Sequence, residues 1–146
     1  MAENVYAMIQ FLIMDFTELL KSGLKAEKNE IVTDKYAAST WGSGGLNVLA
    51  TPAMIAFMES AALSAVDPLL HEGWSTVGTE LNVKHLSATP MGMKVSVKAE
   101  LLSIDGRALL FKVEAFDEAG KIGEGTHSRF IVENARFLSK LENKKI

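Results

Sequence analysis

The pattern of apolar and polar residues changes period once along the chain, from helical to alternating. Residues 50–66 are apolar on nearly every side, which predicts one long helix inside the protein. Thr51 is a favoured N-cap residue and Pro52 suits the first helical position, so we expect the helix to begin there. From residue 75 onward apolar and polar residues alternate, as they do in strands with one buried face.

Four long strands are predicted after the helix. They cover residues 75–85, 93–101, 109–115 and 122–132, and Asp105-Gly106 marks a tight hairpin between the middle two. A sheet with one apolar face must bury that face, and the helix is the one predicted element that is apolar all round. We therefore expect an α+β fold in which an antiparallel meander wraps around one long central helix. One helix leaves the sheet and its edges partly uncovered, so we also expect a homodimer.

Shorter elements surround this layer. In chain order they are a short helix over residues 15–23 with Asp15 as N-cap, a weak first strand over 27–33, a Gly-rich loop over 37–47, and a short helix or frayed tail over 133–141. No linker or repeat divides the chain, and 146 residues suit a single domain, which we place at residues 15–146.

Residues 1–14 are interpreted as an N-terminal extension. Residues 5–14 are apolar apart from Gln10, but they are too few to span a membrane. They also lack the basic start of a signal peptide, because Lys21 is the first lysine. Two explanations stay open: the natural start is Met14, or the extension adds helical turns that pack on the domain or on a partner.

Composition excludes several classes of function. The formal net charge is −3, so the chain offers no basic surface for nucleic acid. It contains no Cys, which excludes disulfides, thiolate nucleophiles and Cys-ligated metals and fits a reducing compartment such as the cytoplasm. Its three His residues are widely spaced and give no metal signature. The loop around Gly42 lacks the dinucleotide fingerprint, and no nucleophile-elbow motif is present.

Glu59 is the strongest candidate for chemistry. It is the only charged residue between Tyr36 and Val66, and its neighbours on the same helix face include Ile55 and Leu63. A carboxylate in such apolar surroundings must be paired, protonated or used. It is either a structural Glu held by an Arg or by backbone groups, or a working carboxylate that acts as base or nucleophile.

His85 and Thr51 are the next candidates. His85 continues the odd-numbered face that begins at Val77, so we expect it to point toward the helix. A single His at a strand end is more often structural, but together with Glu59 in the same layer it forms a candidate pair. The Thr51 hydroxyl lies at a helix N-terminus, where free N–H groups and the helix dipole stabilise developing negative charge.

Two further positions carry a weaker signal. Gly78 lies inside a predicted strand, which indicates a bulge or a close backbone approach, here to a ligand. Arg129 shares its strand face with His127 and with two glycines, Gly123 and Gly125. That face is interpreted either as tight structural packing or as a surface on which Arg129 contacts a phosphate.

Several short motifs follow one another in a defined order. They are Leu49-Ala50-Thr51-Pro52, Met58-Glu59, Val77-Gly78-Thr79, the stretch 83–90 and Gly123-Glu124-Gly125-Thr126-His127. Together they resemble the hot-dog-fold acyl-CoA thioesterases, in particular the subgroup that contains fluoroacetyl-CoA thioesterase. The resemblance covers roughly residues 25–138.

This resemblance implies a catalytic set of Thr51, Glu59 and His85, because the family spaces these residue types by eight and then 26 positions. It also implies that the Gly78 N–H binds the thioester carbonyl and that Trp41 forms a lid over the acyl group. The implied enzyme is a dimer or a dimer of dimers, with its active site at the protomer interface. Coenzyme A enters only as part of the substrate, and no metal or redox cofactor is needed.

The implied reaction is hydrolysis of an acyl-CoA thioester to a free acid and CoA. The glycines that follow Trp41 predict a loose lid, and hence a short or medium acyl group rather than fluoroacetyl alone. Glu59 acts either as nucleophile or as general base, and the sequence leaves that choice open. Two alternatives also stay open: an acyl-CoA-binding module without turnover, and a hot-dog enoyl-CoA hydratase or dehydratase.

Overall fold

The computed structural model describes residues 1–6 and 16–145 of the chain. Most of the predicted extension over residues 1–14 therefore lies outside the described residues, and so does Asp15, the predicted N-cap. Residues 16–19 form a hydrogen-bonded turn where the sequence predicts part of a short helix.

A five-stranded sheet and one long helix form the described domain. The strands are β1 (Lys25–Ile31), β2 (Trp74–His85), β3 (Lys94–Asp105), β4 (Ala108–Asp117) and β5 (Gly120–Glu133). The main helices are the short α1 (Ala38–Trp41), the long α2 (Thr51–Val66) and α3 (Asn134–Leu141), which follows the last strand.

The strand order is β1-β3-β4-β5-β2, and every neighbouring pair is antiparallel. The hairpin predicted at Asp105 is confirmed, since β3 ends there and Gly106 has a positive φ of 60°. The predicted four-strand meander is wrong at one point, because β2 pairs with β5 instead of β3. Residues 86–93 carry the chain across the sheet past the start of α2, where Val48 bridges Pro90.

The core lies between α2 and the inner face of the sheet. α2 packs mainly on β3 and β1, and the alternation predicted for β3 and β4 is confirmed. The buried apolar residues of β3 and β4 are Val95, Val97, Ala99, Leu101, Leu109, Phe111, Val113 and Ala115. These observations confirm the predicted α+β layer of an antiparallel sheet and a long helix.

One face of α2 is open, although the sequence predicts burial on every side. Met54 and Met58 are fully buried, whereas Leu63 is 40% exposed and Thr51 is also exposed. The reason is that the sheet of this chain covers only one side of the helix. The uncovered side includes the partly exposed Glu59.

A β-bulge interrupts β2 at Thr79. Gly78 pairs with Arg129, and Glu80 pairs with the next residue of β5, Ser128, so Thr79 is the extra residue on its strand. The bulge that the sequence allows at this glycine is therefore confirmed. One extra residue reverses which side chains face inward on the two sides of the bulge.

The bulge changes the inner face of β2. Before the bulge, Thr76 faces inward and is buried; after it, Val83 packs on the core and His85 contacts α2. Val77 and Thr79, which an unbroken alternation places on the inner face, instead line a groove on the outer face. The predicted orientation is therefore right for His85 and wrong for these two residues.

Candidate active site

Thr51 and His85 form the first part of the site, called here the Thr–His pair. The Thr51 side-chain oxygen lies 2.7 Å from His85 Nδ1, which joins the first turn of α2 to the last residue of β2. The N-cap of α2 is Ala50, and no side chain among the described residues makes a capping hydrogen bond there. The predicted capping role of Thr51 is therefore wrong by one residue, and its hydroxyl contacts His85 instead.

The His85 ring is half-buried, and one of its two nitrogens has no hydrogen-bond partner among the described residues. Burial lowers the pKa of His85 below its ordinary value of 6.5, and a contact with the backbone of Ser87 offsets part of this effect. The ring is therefore mainly neutral at about pH 7. Its Nε2 atom is buried and has no hydrogen-bond partner among the described residues, which is uncommon for a buried ring nitrogen.

Glu59 and Arg129 form the second part of the site. The Glu59 Oε2 atom lies 3.9 Å from Arg129 Nη1, and the exposed fractions of the two side chains are 40% and 5%. An arginine partner is one of the two interpretations that the sequence supports for Glu59. The prediction that apolar neighbours enclose Glu59 is wrong, because the open face of α2 leaves the carboxylate exposed.

The Arg129 guanidinium is held by several bonds. Its Nε donates to Thr76 Oγ1 at 2.7 Å, its Nη2 donates to the Thr76 carbonyl at 2.8 Å, and its Nη1 lies 3.1 Å from His127 Nε2. Burial lowers the pKa of Arg129 below its ordinary value, and the charges of Asp67 and Glu59 oppose this effect. A guanidinium stays protonated in proteins, so a fixed positive charge lies behind the carboxylate.

Thr76 and Asp67 support the site but carry no sequence signal that identifies them. The Thr76 hydroxyl donates to Asp67 Oδ1 at 2.5 Å, and the Thr76 N–H donates to Asp67 Oδ2 at 3.2 Å. Asp67 directly follows α2, so these bonds tie the end of that helix to β2. They keep the helix that carries Glu59 aligned with the strand that carries Gly78.

Gly78 lies directly against the carboxylate. A Cβ atom at this position would lie 3.0 Å from Glu59 Oε2 and 3.2 Å from His127 Cε1, so only a glycine leaves these side chains where they are. The predicted close approach of the backbone is therefore present, with Glu59 as the neighbour. Contact of the Gly78 N–H with a ligand stays a prediction. Glu59, Gly78 and Arg129 are called here the Glu–Arg group.

The Thr–His pair and the Glu–Arg group are separated within one chain. Glu59 follows Thr51 by eight residues, which places their backbones about 12 Å apart along the helix axis. Gly78 and His85 are seven residues apart on β2, roughly 23 Å in an extended strand. The chain therefore brings His85 to Thr51 but brings neither of them to Glu59.

Trp41, the predicted lid residue, ends the short helix α1 inside a stretch that the sequence assigns to a loop. Its ring is 43% exposed, and its Nε1–H donates to the Lys35 carbonyl at 2.6 Å. Nearby, Tyr36 packs edge-on against Phe57 of α2 with ring centroids 4.8 Å apart. These contacts fix the segment beside α2, and the lid role of Trp41 stays a prediction.

Neither a metal-binding cluster nor a membrane-spanning helix is found in the part of the chain that the structure describes. Over residues 1–6 and 16–145, no group of three or more His, Cys, Asp or Glu side chains is arranged to hold a metal ion. No helix in the same residues has the length and apolar character needed to cross a membrane.

Comparison with known proteins identifies the family. The family model of fluoroacetyl-CoA-specific thioesterases (FlK) matches residues 32–135, which contain the Thr–His pair and the Glu–Arg group. The chain belongs to this family. A fluoroacetyl-CoA thioesterase of Streptantibioticus cattleyicolor is 41% identical over 97 residues, which cover 66% of this chain and 70% of that protein. The predicted thioesterase resemblance is confirmed, and the chain is a thioester hydrolase that acts on acyl-CoA thioesters.

Solved structures confirm the hot-dog fold. The structure of the fluoroacetyl-CoA thioesterase FlK has a TM-score of 0.82 at 32% identity and covers 87% of this chain and 98% of that one. A threonine-to-serine mutant of FlK in complex with acetyl-CoA has a TM-score of 0.82 at 31% identity. The match covers 87% of this chain and 100% of that one. A hot-dog-like protein from Thermanaerovibrio acidaminovorans has a TM-score of 0.82 at 21% identity, and the match covers 90% of this chain and 97% of that one. At this identity the likeness concerns the fold alone.

Proposed function

We propose that the chain hydrolyses short- to medium-chain acyl-CoA thioesters to the free acid and CoA, with Thr51, Glu59 and His85 as its catalytic residues. Family membership supports thioester hydrolysis, and one observation carries the finer assignment. The open carboxylate of Glu59 lies against Gly78 and in front of the buried cation of Arg129. A carboxylate in that position can attack a carbonyl carbon or take a proton from water. The FlK mutant bound to acetyl-CoA supports a short acyl group.

The proposed site lies between two protomers of a homodimer. Within one chain the Thr–His pair and the Glu–Arg group are far apart. A second chain is therefore needed to place its Thr–His pair beside the Glu–Arg group of the first. Strand β2 is at the edge of the sheet with β5 on one side only, and residues 78–82 are exposed. A long uncovered edge strand is a ready surface for pairing with another copy.

Antiparallel pairing of β2 with the β2 of a second copy accounts for the separation. If the two-fold axis passes between Leu81 and Asn82, Gly78 lies opposite the partner's His85. Each site then combines the Glu–Arg group of one protomer with the Thr–His pair of the other. The dimer contains two equivalent sites of this kind, and neither is complete in one chain.

The proposed reaction uses each residue of the combined site. The thioester carbonyl accepts a hydrogen bond from the Gly78 N–H, which stabilises the oxyanion as it forms. Glu59 attacks the carbonyl carbon to give an anhydride that water then hydrolyses, or it takes a proton from the water that attacks directly. In both routes the C–S bond breaks, and His85 Nε2 gives a proton to the departing thiolate. Thr51 orients the His85 ring, and Arg129 orients Glu59.

Gly78 and Trp41 are the proposed substrate contacts. Gly78 binds the carbonyl, and Trp41 covers the acyl group as part of a lid that the following glycines, Gly42 and Gly44, make loose. A loose lid favours a range of short and medium acyl groups over fluoroacetyl alone. Arg129 acts behind the carboxylate rather than on the phosphates of CoA, because its side chain is only 5% exposed.

Titration of the thiol released from a panel of acyl-CoA esters tests this proposal. The panel runs from acetyl and fluoroacetyl to octanoyl, and the matched control is Glu59→Gln, which keeps the side-chain shape and removes the carboxylate. We expect release by the parent protein and a loss of at least about 100-fold in kcat in the variant. Equal rates in the variant would overturn the role of Glu59. Tight binding without release, or water addition to an enoyl-CoA, would overturn hydrolysis in favour of a binding module or a hydratase.

A further inference from the structure

His127 is a buried histidine that the proposed reaction does not use. Its side chain is 1% exposed, and its ring packs beside Phe111 with centroids 6.4 Å apart. Both ring nitrogens have partners: Nδ1 lies 2.8 Å from the Glu80 carbonyl oxygen, and Nε2 lies 3.1 Å from Arg129 Nη1. A polar ring that is this deeply buried and bonded at both nitrogens holds its neighbours in one arrangement.

The two contacts determine where the ring carries its proton. The Glu80 carbonyl can only accept a hydrogen bond, so Nδ1 carries the hydrogen and donates it. Arg129 can only donate, so Nε2 keeps its lone pair and accepts. Only the neutral ring with its hydrogen on Nδ1 satisfies both partners. Burial is the main cause that lowers the pKa of His127 below 6.5; the Glu80 carbonyl opposes it, Arg129 adds to it, and Glu59 opposes it.

One hydrogen bond of His127 reaches the backbone segment that carries Gly78, and the other reaches the Arg129 side chain. Glu80 is the first paired residue after the bulge, so its carbonyl belongs to the backbone segment that presents Gly78. Arg129 Nη1 is the atom that faces Glu59 Oε2 at 3.9 Å. The His127 Cε1 atom itself lies 3.2 Å from the position that a Cβ atom of Gly78 would take. One ring therefore joins the bulge to the guanidinium.

We propose that His127 is a positioning residue that holds the bulge and the Arg129 guanidinium together, and so sets the distance between the Gly78 N–H and the Glu59 carboxylate. This proposal rests on the proposed hydrolysis. His127 does not touch the substrate and acts only through its neighbours. Because those neighbours stabilise the transition state, loss of the ring lowers kcat more than it changes KM.

Three substitutions at one position separate the two bonds. His127→Asn keeps an N–H near Nδ1 for Glu80, His127→Gln keeps an oxygen near Nε2 for Arg129, and His127→Phe keeps a ring but loses both bonds. We expect kcat to fall about tenfold in the Asn and Gln variants and about 100-fold in the Phe variant, with KM within about threefold of the parent. Val113→Ala, a buried change on β4, is the stability control and lowers Tm without lowering kcat.

A second measurement does not depend on turnover. Nitrogen NMR of the imidazole is expected to show the hydrogen on Nδ1 and none on Nε2 at about pH 7. A hydrogen on Nε2 would overturn the contact with Arg129, and a folded His127→Phe variant with the kcat of the parent would overturn the positioning role. If the parent releases no thiol from any acyl-CoA, the proposed hydrolysis fails, and the NMR result still decides whether His127 holds Arg129.

Discussion

The Thr51 hydroxyl lies 2.7 Å from His85 Nδ1, while Glu59, two turns further along the same helix, reaches Arg129 instead. Three residues that the family spacing groups together thus make two separate contacts in one chain. In a dimer with a two-fold axis, the beginning of a helix or strand in one protomer can lie beside the end of the same element in the other protomer. The separation is therefore the arrangement expected of an active site that two protomers share.

A mixture of two inactive variants is predicted to regain activity. In the proposed homodimer, Glu59→Gln and His85→Ala each remove one component from both sites. In a hybrid dimer, however, one of the two shared sites keeps both residues. Random subunit exchange makes half of the dimers hybrid, so thiol release should reach about a quarter of the parent rate.

The matched control for this experiment is a mixture of two separate Glu59→Gln preparations, which should stay inactive. Exchange itself is verified by mass spectrometry of differently tagged chains. If exchange is complete and no activity returns, each site lies within one chain and the shared site is wrong.

Thr51→Val is predicted to lower activity without lowering stability. Valine matches threonine in shape and helix propensity but cannot hydrogen-bond to His85. Because Ala50 and not Thr51 is the N-cap, the start of α2 keeps its backbone bonds. We expect kcat to fall about 10- to 100-fold, as for loss of one catalytic hydrogen bond, while Tm stays within about 2 °C of the parent.

Thr51→Ser is the control, because it keeps the hydroxyl and should keep most of the activity. A loss of free energy of unfolding in the Val variant as large as that expected for a lost N-cap, about 1 kcal/mol, would show that Thr51 caps the helix after all.

Gly78→Ala is predicted to remove most of the activity from a protein that still folds. The added Cβ would lie 3.0 Å from Glu59 Oε2, closer than ordinary contacts, so the carboxylate must shift. We expect kcat/KM to fall at least about 100-fold, since the proposed catalytic carboxylate of Glu59 is displaced from its position beside Gly78. Steady-state thiol release measures the loss, and circular dichroism checks the fold. Activity near that of the parent would mean that the Gly78 backbone does not meet the substrate.

The elements that the sequence predicts well are those that local pattern determines. The central helix, β3, β4 and the hairpin at Asp105 follow from period and turn residues that lie within each segment. The position of β2 beside β5 is different, because it depends on the path of residues 86–93 across the sheet. The bulge at Thr79 likewise arises from pairing with a strand far along the chain. Alternation within β2 does not reveal it, and Gly78 is the local signal that indicates it.

The candidate site shows the same division between local and long-range information. Alternation places Arg129 and His127 on one face of their strand, and the structure buries both side chains. It does not identify Glu59 as their neighbour, because that contact depends on how α2 is set against β5. The Thr76 bonds to Asp67 help to fix that relation, and neither residue carries a local motif.

Stability is predicted to fall in acid, because the fold keeps two histidines neutral. The pKa values of His85 and His127 are both lowered below 6.5, in each case mainly by burial. Below that pH the unfolded chain therefore binds more protons than the folded chain. The contribution is complete above about pH 6.5 and is lost as pH falls toward the folded pKa values, with a slope of at most about 1.4 kcal/mol per pH unit for each histidine.

Urea unfolding between about pH 7.5 and about pH 5 measures this dependence. His127→Phe removes one of the two titrating groups, so its free energy of unfolding should decline less steeply with acid than that of the parent. Val113→Ala is the control, because it lowers stability at every pH but removes no titrating group, and its slope should match the parent. If the Phe variant also keeps the parent slope, His127 binds protons equally in the folded and unfolded states. In that case its ring is not held neutral between the Glu80 carbonyl and Arg129.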